Sequence, residues 1–440
     1  MKRRPVTRPV ITAIAATAVS AGLLAGCSAG APAPTDTAPT DSAPSSTAPS
    51  GEVRVLAVEG PETDALATES ARFTQSSGIT VKVDKVARDV WGQRKVAELA
   101  QDAGTYDVVF LGGGDDAVWM LKHANAKDLT PYLGSEVVND VVNHDLFTTD
   151  SGAFLGAPQY YNFPVTYYRA DLFGDAGEQA AFKAEYGRDL AAPTTFDELV
   201  EVATFFNRPD DGLYGTCLGG VDWSVFLDNT YFTYGQDSNY GDLTTGELTL
   251  NTPEQVKSLE YIKQLTALSA PGWESLSFFD CDNQMQAGSI AIYQNWLYAW
   301  RTLGAQMGDK LAMAPPAGAK THLGAMLATI PEKAPNPDAA GAFIAWMLSD
   351  DFQLAQAQQT GNLPVLQSQQ DSAAFAEALP ELEMLKSVAG RLSYLHTTWS
   401  GELGSGVSEA IAKVNSKEMT AQDAAAWLQD EKFAGRKAIE

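Results

Sequence analysis

Residues 52–111 read EVRVLAVEGPETDALATESARFTQSSGITVKVDKVARDVWGQRKVAELAQDAGTYDVVFL, and the recurrence of apolar residues in this stretch decides the fold class. Three short runs rich in β-branched residues, Val53–Val58, Ile79–Val86 and Tyr106–Leu111, alternate with two segments of helical spacing, residues 63–76 closed by Gly78 and a second from about Val90 to Ala103. Strand, helix, strand, helix, strand within about 60 residues predicts a parallel, doubly wound α/β sheet. In such sheets ligands gather beyond the carboxyl ends of the strands. Glu59 after the first strand, and Asp115, Asp116 and Trp119 after the third, are therefore the first candidates for a site.

Working outward toward the N-terminus, residues 2–8 are basic and Val10 to Ala25 is an apolar run broken only by small residues. About 16 residues at a rise of 1.5 Å fall short of a ~30 Å hydrocarbon core, so the run reads as a secretory leader, not an anchor helix. It ends in Leu24-Ala-Gly-Cys27, which resembles the bacterial lipobox. The resemblance implies cleavage after residue 26 and a lipid on the thiol of Cys27. Residues 28–51 contain only Ser, Ala, Gly, Pro, Thr and Asp, so residues 27–51 read as a disordered tether that reaches about 70 Å when fully extended.

Toward the C-terminus the helices lengthen after Gly156-Ala-Pro158. Thr195-Phe-Asp-Glu198 and Thr252-Pro-Glu-Gln255 both fit the capping box, the second with proline at the first helical position. Residues 241–251 between them read as a hairpin, and a helix from about Ala421 to Phe433 ends the chain. There is no internal repeat and no long polar linker in the body, which points to interleaved lobes.

Composition narrows the function. The 440 residues are 45% hydrophobic and 19% charged, enough to bury a sizeable core. They carry 30 basic and 55 acidic side chains, a net charge of −25. The leader holds four of the basic residues and no acid, so the rest of the chain carries 26 − 55 = −29. Such a surface repels phosphate backbones and anionic headgroups, which excludes nucleic acid as a partner. His123, His144, His322 and His396 have no metal-binding spacing, no G-x-S-x-G elbow occurs, and Gly112-Gly-Gly114 lacks the lysine of a phosphate-binding loop. Asp237, Asn239 and Asp242 depart from the spacing of a calcium loop. The acid pairs Asp115-Asp116 and Asp280-Cys-Asp282 are better read as helix caps than as a glycosidase pair. The reading calls for no cofactor, no metal and no catalysis. Cys217 and Cys281 remain as an even pair in an exported chain; they read as a disulfide, with two separate buried thiols as the alternative.

What remains is a set of aromatic and amide residues where strands end. Flat aromatic faces suit the C–H side of a sugar ring, and carboxylates and amides suit its hydroxyls. Beyond Glu59, Asp115 and Asp116, the candidates are Tyr160-Tyr-Asn162, Asp222-Trp223, Trp273, Asn295-Trp296 and Trp399. None of these segments supplies an arginine or lysine, which argues for an uncharged ligand.

Several of these stretches, in order, resemble the extracellular solute-binding proteins of ATP-driven importers, in particular the large sugar-binding family that includes the maltodextrin-binding proteins. They are Tyr106-Asp-Val-Val-Phe110, Leu155-Gly-Ala-Pro-Gln-Tyr-Tyr-Asn162 with Val165-Thr-Tyr-Tyr-Arg-Ala-Asp-Leu-Phe173, Pro193-Thr-Thr-Phe-Asp-Glu-Leu199, Leu248-Thr-Leu-Asn-Thr-Pro-Glu254, Gln286-Ala-Gly-Ser-Ile-Ala-Ile-Tyr293 with Asn295-Trp296, and Gly361-Asn-Leu-Pro-Val365. The resemblance spans about residues 52–435. It implies a two-lobed α/β clamp, each lobe a mainly parallel sheet flanked by helices, with a first lobe of 52–161 plus 326–385 and a second of 162–325 plus 386–440. It further implies a monomeric carrier on the extracellular face of the membrane that closes on a sugar and delivers it to the permease subunits of an ABC transporter. Trp296 and Trp399 match the family's stacking positions, Asp115 and Asp116 its cleft loop, and Tyr160 its first crossing. Glu59, Asn162, Trp223 and Trp273 follow by position and residue type. A polyol-like solute in place of the sugar, or a secreted glycoside hydrolase, is the competing reading.

Overall fold

In this computed structural model, residues 51–440 are described, apart from Asp102 and the side chains of Asp89 and Asp222. The expected leader, Cys27 as the expected lipidation site, nearly all of the expected tether and the Asp222 side chain lie outside the described residues. The alternation read from residues 52–111 is present: β1 (Glu52–Val58), α1 (Pro61–Ser77), β2 (Thr80–Val86), α2 (Arg88–Ala100) and β3 (Val108–Gly112) follow one another, and α3 (Gly113–His123) begins directly where β3 ends. β1 lies between β2 and β3, parallel to both, with Val55 opposite Val83 on one side and Val108 on the other. Val53 and Val55 to Val58 are all buried, as expected of a strand covered on both faces. β2 is the edge, and Lys82, Asp84 and Lys85 along it discourage pairing with another chain.

Beyond β3 the sheet reverses. β9 (Met326–Thr329) runs antiparallel to β3, with Gly112 opposite Met326, and β4 (Ala157–Pro158) runs antiparallel to β9, giving the order β2-β1-β3-β9-β4. A second sheet has the order β6-β5-β7, from β6 (Ile292–Trp296), β5 (Pro164–Arg169) and β7 (Leu311–Ala314). Here the expectation of a mainly parallel sheet in each lobe needs correction, because β5 is antiparallel to both neighbours. The reason is topological: β5 carries the chain away from the first sheet, whereas β6 and β7 carry it back. Pro164, the first residue of β5, therefore pairs with Trp296, the last of β6. A two-residue parallel pair, β8 (Thr321–His322) with β10 (Leu392–Ser393), completes the strands.

Two large apolar clusters form the interior. One is built around β1, β3 and β9 and extends through Phe343, Ile344 and Met347 to Tyr167 and Tyr293; the other gathers Phe182, Phe206, Tyr234, Ile262 and Ile411. A small third cluster of Leu227, Tyr231, Phe278 and Trp296 lies beneath the site described below. The caps behave largely as their sequences require. Thr195 and Glu198 form a full capping box, whereas Thr252 accepts from the Gln255 amide N–H at 3.3 Å but the Gln255 side chain turns to the carbonyl of Asn239. The Gly241–Leu248 bridge closes the expected hairpin.

Candidate functional site

The chain crosses between the two sheets at a hydrogen-bonded seam. Tyr161 and Leu363 exchange both backbone bonds at 3.0 Å, and Asn162 exchanges both with Gly324. The Asn162 side chain reinforces the seam: Oδ1 accepts from the Leu297 N–H at 2.9 Å, and Nδ2 points to Glu62 Oε1 at 3.4 Å. Two glycines permit this crowding. A Cβ on Gly324 would sit 2.3 Å from the Trp296 ring, and one on Gly114 would sit 2.3 Å from His322 Nε2. Any other residue at either place would push Trp296 or His322 away.

Around the seam lies a partly open cleft that encloses about 100 Å³. It receives the turn after β1 (Glu59 to Thr63), the start of α3 (Gly114, Asp115), the first crossing (Tyr160, Asn162), the end of β6 (Trp296, Tyr298) and the segment after β8 (His322 to Met326). Phe278 and Phe279, at the start of the helix Phe278–Gln286, form another wall. That helix is tied down by a Cys217–Cys281 disulfide, which resolves the choice left open by the sequence.

The polar groups in the cleft differ in what they have left to offer. Asp116 is spent: it is buried, paired with Lys95 and bonded to the Gly112 N–H. Asp115 is not, since its Oδ1 is buried without a hydrogen-bond partner among the described residues. Trp296 Nε1 is likewise a buried donor without a partner among the described residues. Between them stands His322, whose ring meets Trp296 edge-on at 5.5 Å and whose Nε2 lies 3.6 Å from Asp115 Oδ1. The Thr230 hydroxyl donates to the Leu227 carbonyl at 2.6 Å, so Thr230 accepts from His322 Nδ1–H at 3.0 Å. That assigns Nε2 as a lone pair facing the cleft. Burial holds the His322 pKa below its ordinary value, against the pull of Asp115. Glu62 takes a hydrogen bond from Asn362 Nδ2 at 3.0 Å, yet burial raises its pKa. Burial and the charge of Glu62 also push up the Tyr160 hydroxyl.

The structure brings Glu59, Asp115, Tyr160, Asn162 and Trp296 to this one cleft and leaves other expected residues elsewhere. Asn295 is buried and spent, donating to Asp282 Oδ1 at 2.6 Å and to the Phe278 carbonyl while accepting from the Trp296 N–H. Trp273 lines a separate surface hollow with Lys263 and Asn415. Trp399 donates to the Lys437 carbonyl at 2.8 Å and is covered by Arg436 at 3.9 Å from its ring centre. Trp223 borders an adjoining compartment beyond Arg88. Asp280 caps its helix by accepting from Ser277, as its sequence suggested, and Asp282 collects Tyr293, Asn295 and Tyr298. The supposed calcium-loop residues are engaged otherwise: Asp237 pairs with Lys320, and Asp242 caps Thr244 and Thr245.

Sequence reasoning missed Glu62, Arg88, His322 and Phe278. Arg88 corrects the expectation of a cleft without basic residues. It follows β2 by two positions, so the same carboxyl-end rule that singled out Glu59 would have found it. His322 and Phe278 carry no local signal, because only the three-dimensional return of β8 and of the disulfide-tied helix brings them in.

A family model described as bacterial extracellular solute-binding protein matches residues 57–354, and this chain belongs to that family, whose members are transport-binding proteins. Among curated relatives it is similar to the "Mannitol-binding protein" of Pseudomonas aeruginosa, 27% identical over 376 residues that cover 76% of this chain and 81% of that one. Among solved structures it resembles the Agrobacterium radiobacter solute-binding protein in complex with ribitol (21% identity, TM-score 0.73, 87% and 98% of the two chains). It also resembles the maltose-bound T. maritima MalE3 (19%, TM-score 0.72, 87% and 99%). At this identity the likeness establishes the two-lobed α/β solute-binding fold. Among the described residues no helix is long and apolar enough to cross a membrane.

Proposed function

We propose that this chain is a lipid-anchored extracellular binding protein that encloses a sugar or sugar alcohol in the cleft and delivers it to an ABC-transporter permease, without chemistry of its own. One observation carries the ligand class: Asp115 Oδ1 and Trp296 Nε1, an acceptor and a donor from residues lining the same cleft as His322, are both buried and unpartnered among the described residues. A hydroxyl both donates and accepts, so a polyhydroxylated ligand supplies what each lacks, and an apolar one does not. The walls of Trp296, Phe278 and Tyr160 suit its C–H faces. Names of the relatives point the same way, toward mannitol, ribitol and maltose. The lobes are taken as residues 52–161 with 326–385, and 162–325 with 386–440.

Against a hydrolase, three of the four acids it would draw on are committed to structural hydrogen bonds, Asp116 to Lys95, Asp280 to Ser277 and Asp282 to Tyr293, Asn295 and Tyr298. The test is a titration of tryptophan fluorescence and heat with D-mannitol, ribitol, D-glucose and maltose, with the ligand recovered afterwards. Saturable binding of at least one with the ligand unchanged supports the reading; binding of none, or conversion of the ligand, overturns it.

A further inference from the structure

The cleft does not end at Arg88. A second, partly open compartment that encloses about 230 Å³ shares Arg88, Trp91, Asp115 and Leu227 with the first. A third, wider one shares Gly92, Lys95, Ser400, Gly401 and Ser405 with the second. The three compartments adjoin one another through these shared lining residues, from the buried end at Trp296 to the surface near Trp399. At the first junction the Arg88 guanidinium lies 6.0 Å from the Trp91 ring centre and 5.6 Å from that of Trp223. Among the described residues, which leave out the side chains of Asp89 and Asp222, no carboxylate pairs with it, as is also true of Arg94, Arg301 and Arg391. Trp223 is fixed from behind by an edge-on contact with Phe278 at 4.8 Å. The opposite wall is open, because a side chain at Gly401 would meet nothing within 4 Å.

Resting on the carbohydrate reading above, we propose that the second compartment receives the next ring of a carbohydrate chain, so the preferred ligand is a disaccharide or longer glycan, with Arg88 and Trp223 as its specificity-determining residues. The chemistry of the junction fits a glycosidic linkage. Asp115 faces both compartments as an acceptor, while Arg88 offers up to five N–H donors to ring and linkage oxygens. A hexitol or single ring has no use for the Arg88–Trp223 wall.

The experiment is calorimetric titration of the intact protein with D-mannitol, D-glucose, maltose, trehalose, cellobiose and maltotriose, repeated on Ser405→Trp and Trp223→Ala. Ser405 is exposed on the walls of the second and third compartments, so the tryptophan fills the space there without entering the core. The expected result is that some di- or trisaccharide binds about tenfold or more tighter than any single ring or hexitol, and that both variants lower this ratio about tenfold, a loss in the range of an interface anchor. The extension is overturned if a hexitol or single ring binds as tightly as every longer sugar, or if the ratio is unchanged in both variants; the carbohydrate reading survives either result. Failure of every probe to bind overturns both.

Discussion

Trp296 illustrates how a single side chain in this cleft is held by what its neighbours lack. Gly324 gives way to its ring, Tyr231 meets it edge-on at 5.9 Å, and its indole N–H is left without a partner among the described residues. Trp296→Ala should therefore weaken ligand affinity by about 1–3 kcal/mol, the cost of removing a buried aromatic anchor, and also lower the melting temperature of the unliganded protein, because the ring packs with Leu227, Tyr231 and Phe278; calorimetry and a thermal scan check the two parts separately. His322 carries a pH signature. Its folded pKa lies below the unfolded value of about 6.5, so its contribution to stability is intact above that pH and is lost as the pH falls toward the folded value. Glu62 and Asp228, raised by burial, act in the opposite sense, losing stability as pH rises above the ordinary carboxylate range. Both are shared by wild type and variant. Between pH 7.5 and 5.5 the melting temperature of the wild type should fall more steeply than that of His322→Gln, and parallel curves would contradict this assignment.

At the scale of elements, the first five were legible because each has its own period: β3 is apolar throughout, β1 alternates from Glu52 to Val55 and then runs apolar to Val58, and α1 ends at Gly78. The two-residue strands β4, β8 and β10 were not, because nothing in two residues distinguishes a strand from a loop. The direction of β5 was equally hidden, since strand pairing depends on where the chain returns and not on local pattern. The same divide runs through the site: Asp115 and Trp296 follow strands visible in the sequence, while His322 and Phe278 arrive from segments whose placement is tertiary. The helix bearing Phe278 depends on the Cys217–Cys281 bond, which spans 64 residues. In the chain-entropy account such a link stabilises by about 4 kcal/mol. The double change Cys217→Ser with Cys281→Ser should lower the melting temperature clearly and raise the ligand Kd as Phe278 loosens, as read by thermal scanning and calorimetry.

For the whole molecule, acidity and attachment belong together. A net charge of −29 beyond the leader keeps the body from adhering to an anionic membrane, so the proposed lipid on Cys27 would have to supply the attachment. Cys27→Ser should shift the protein from the membrane fraction to the medium with its sugar affinity intact, which fractionation and titration together report; retention in the membrane would remove Cys27 as the anchor. The central claim is that a polyhydroxylated ligand completes the unpartnered Asp115 and Trp296 groups inside the cleft. The most direct test is calorimetric titration of the wild type and Asp115→Ala with the best ligand of the sugar and polyol panel. The prediction is saturable 1:1 binding to the wild type, with affinity lowered at least about tenfold in the variant, in line with loss of a buried charged hydrogen bond. Equal affinity in the two proteins would contradict it.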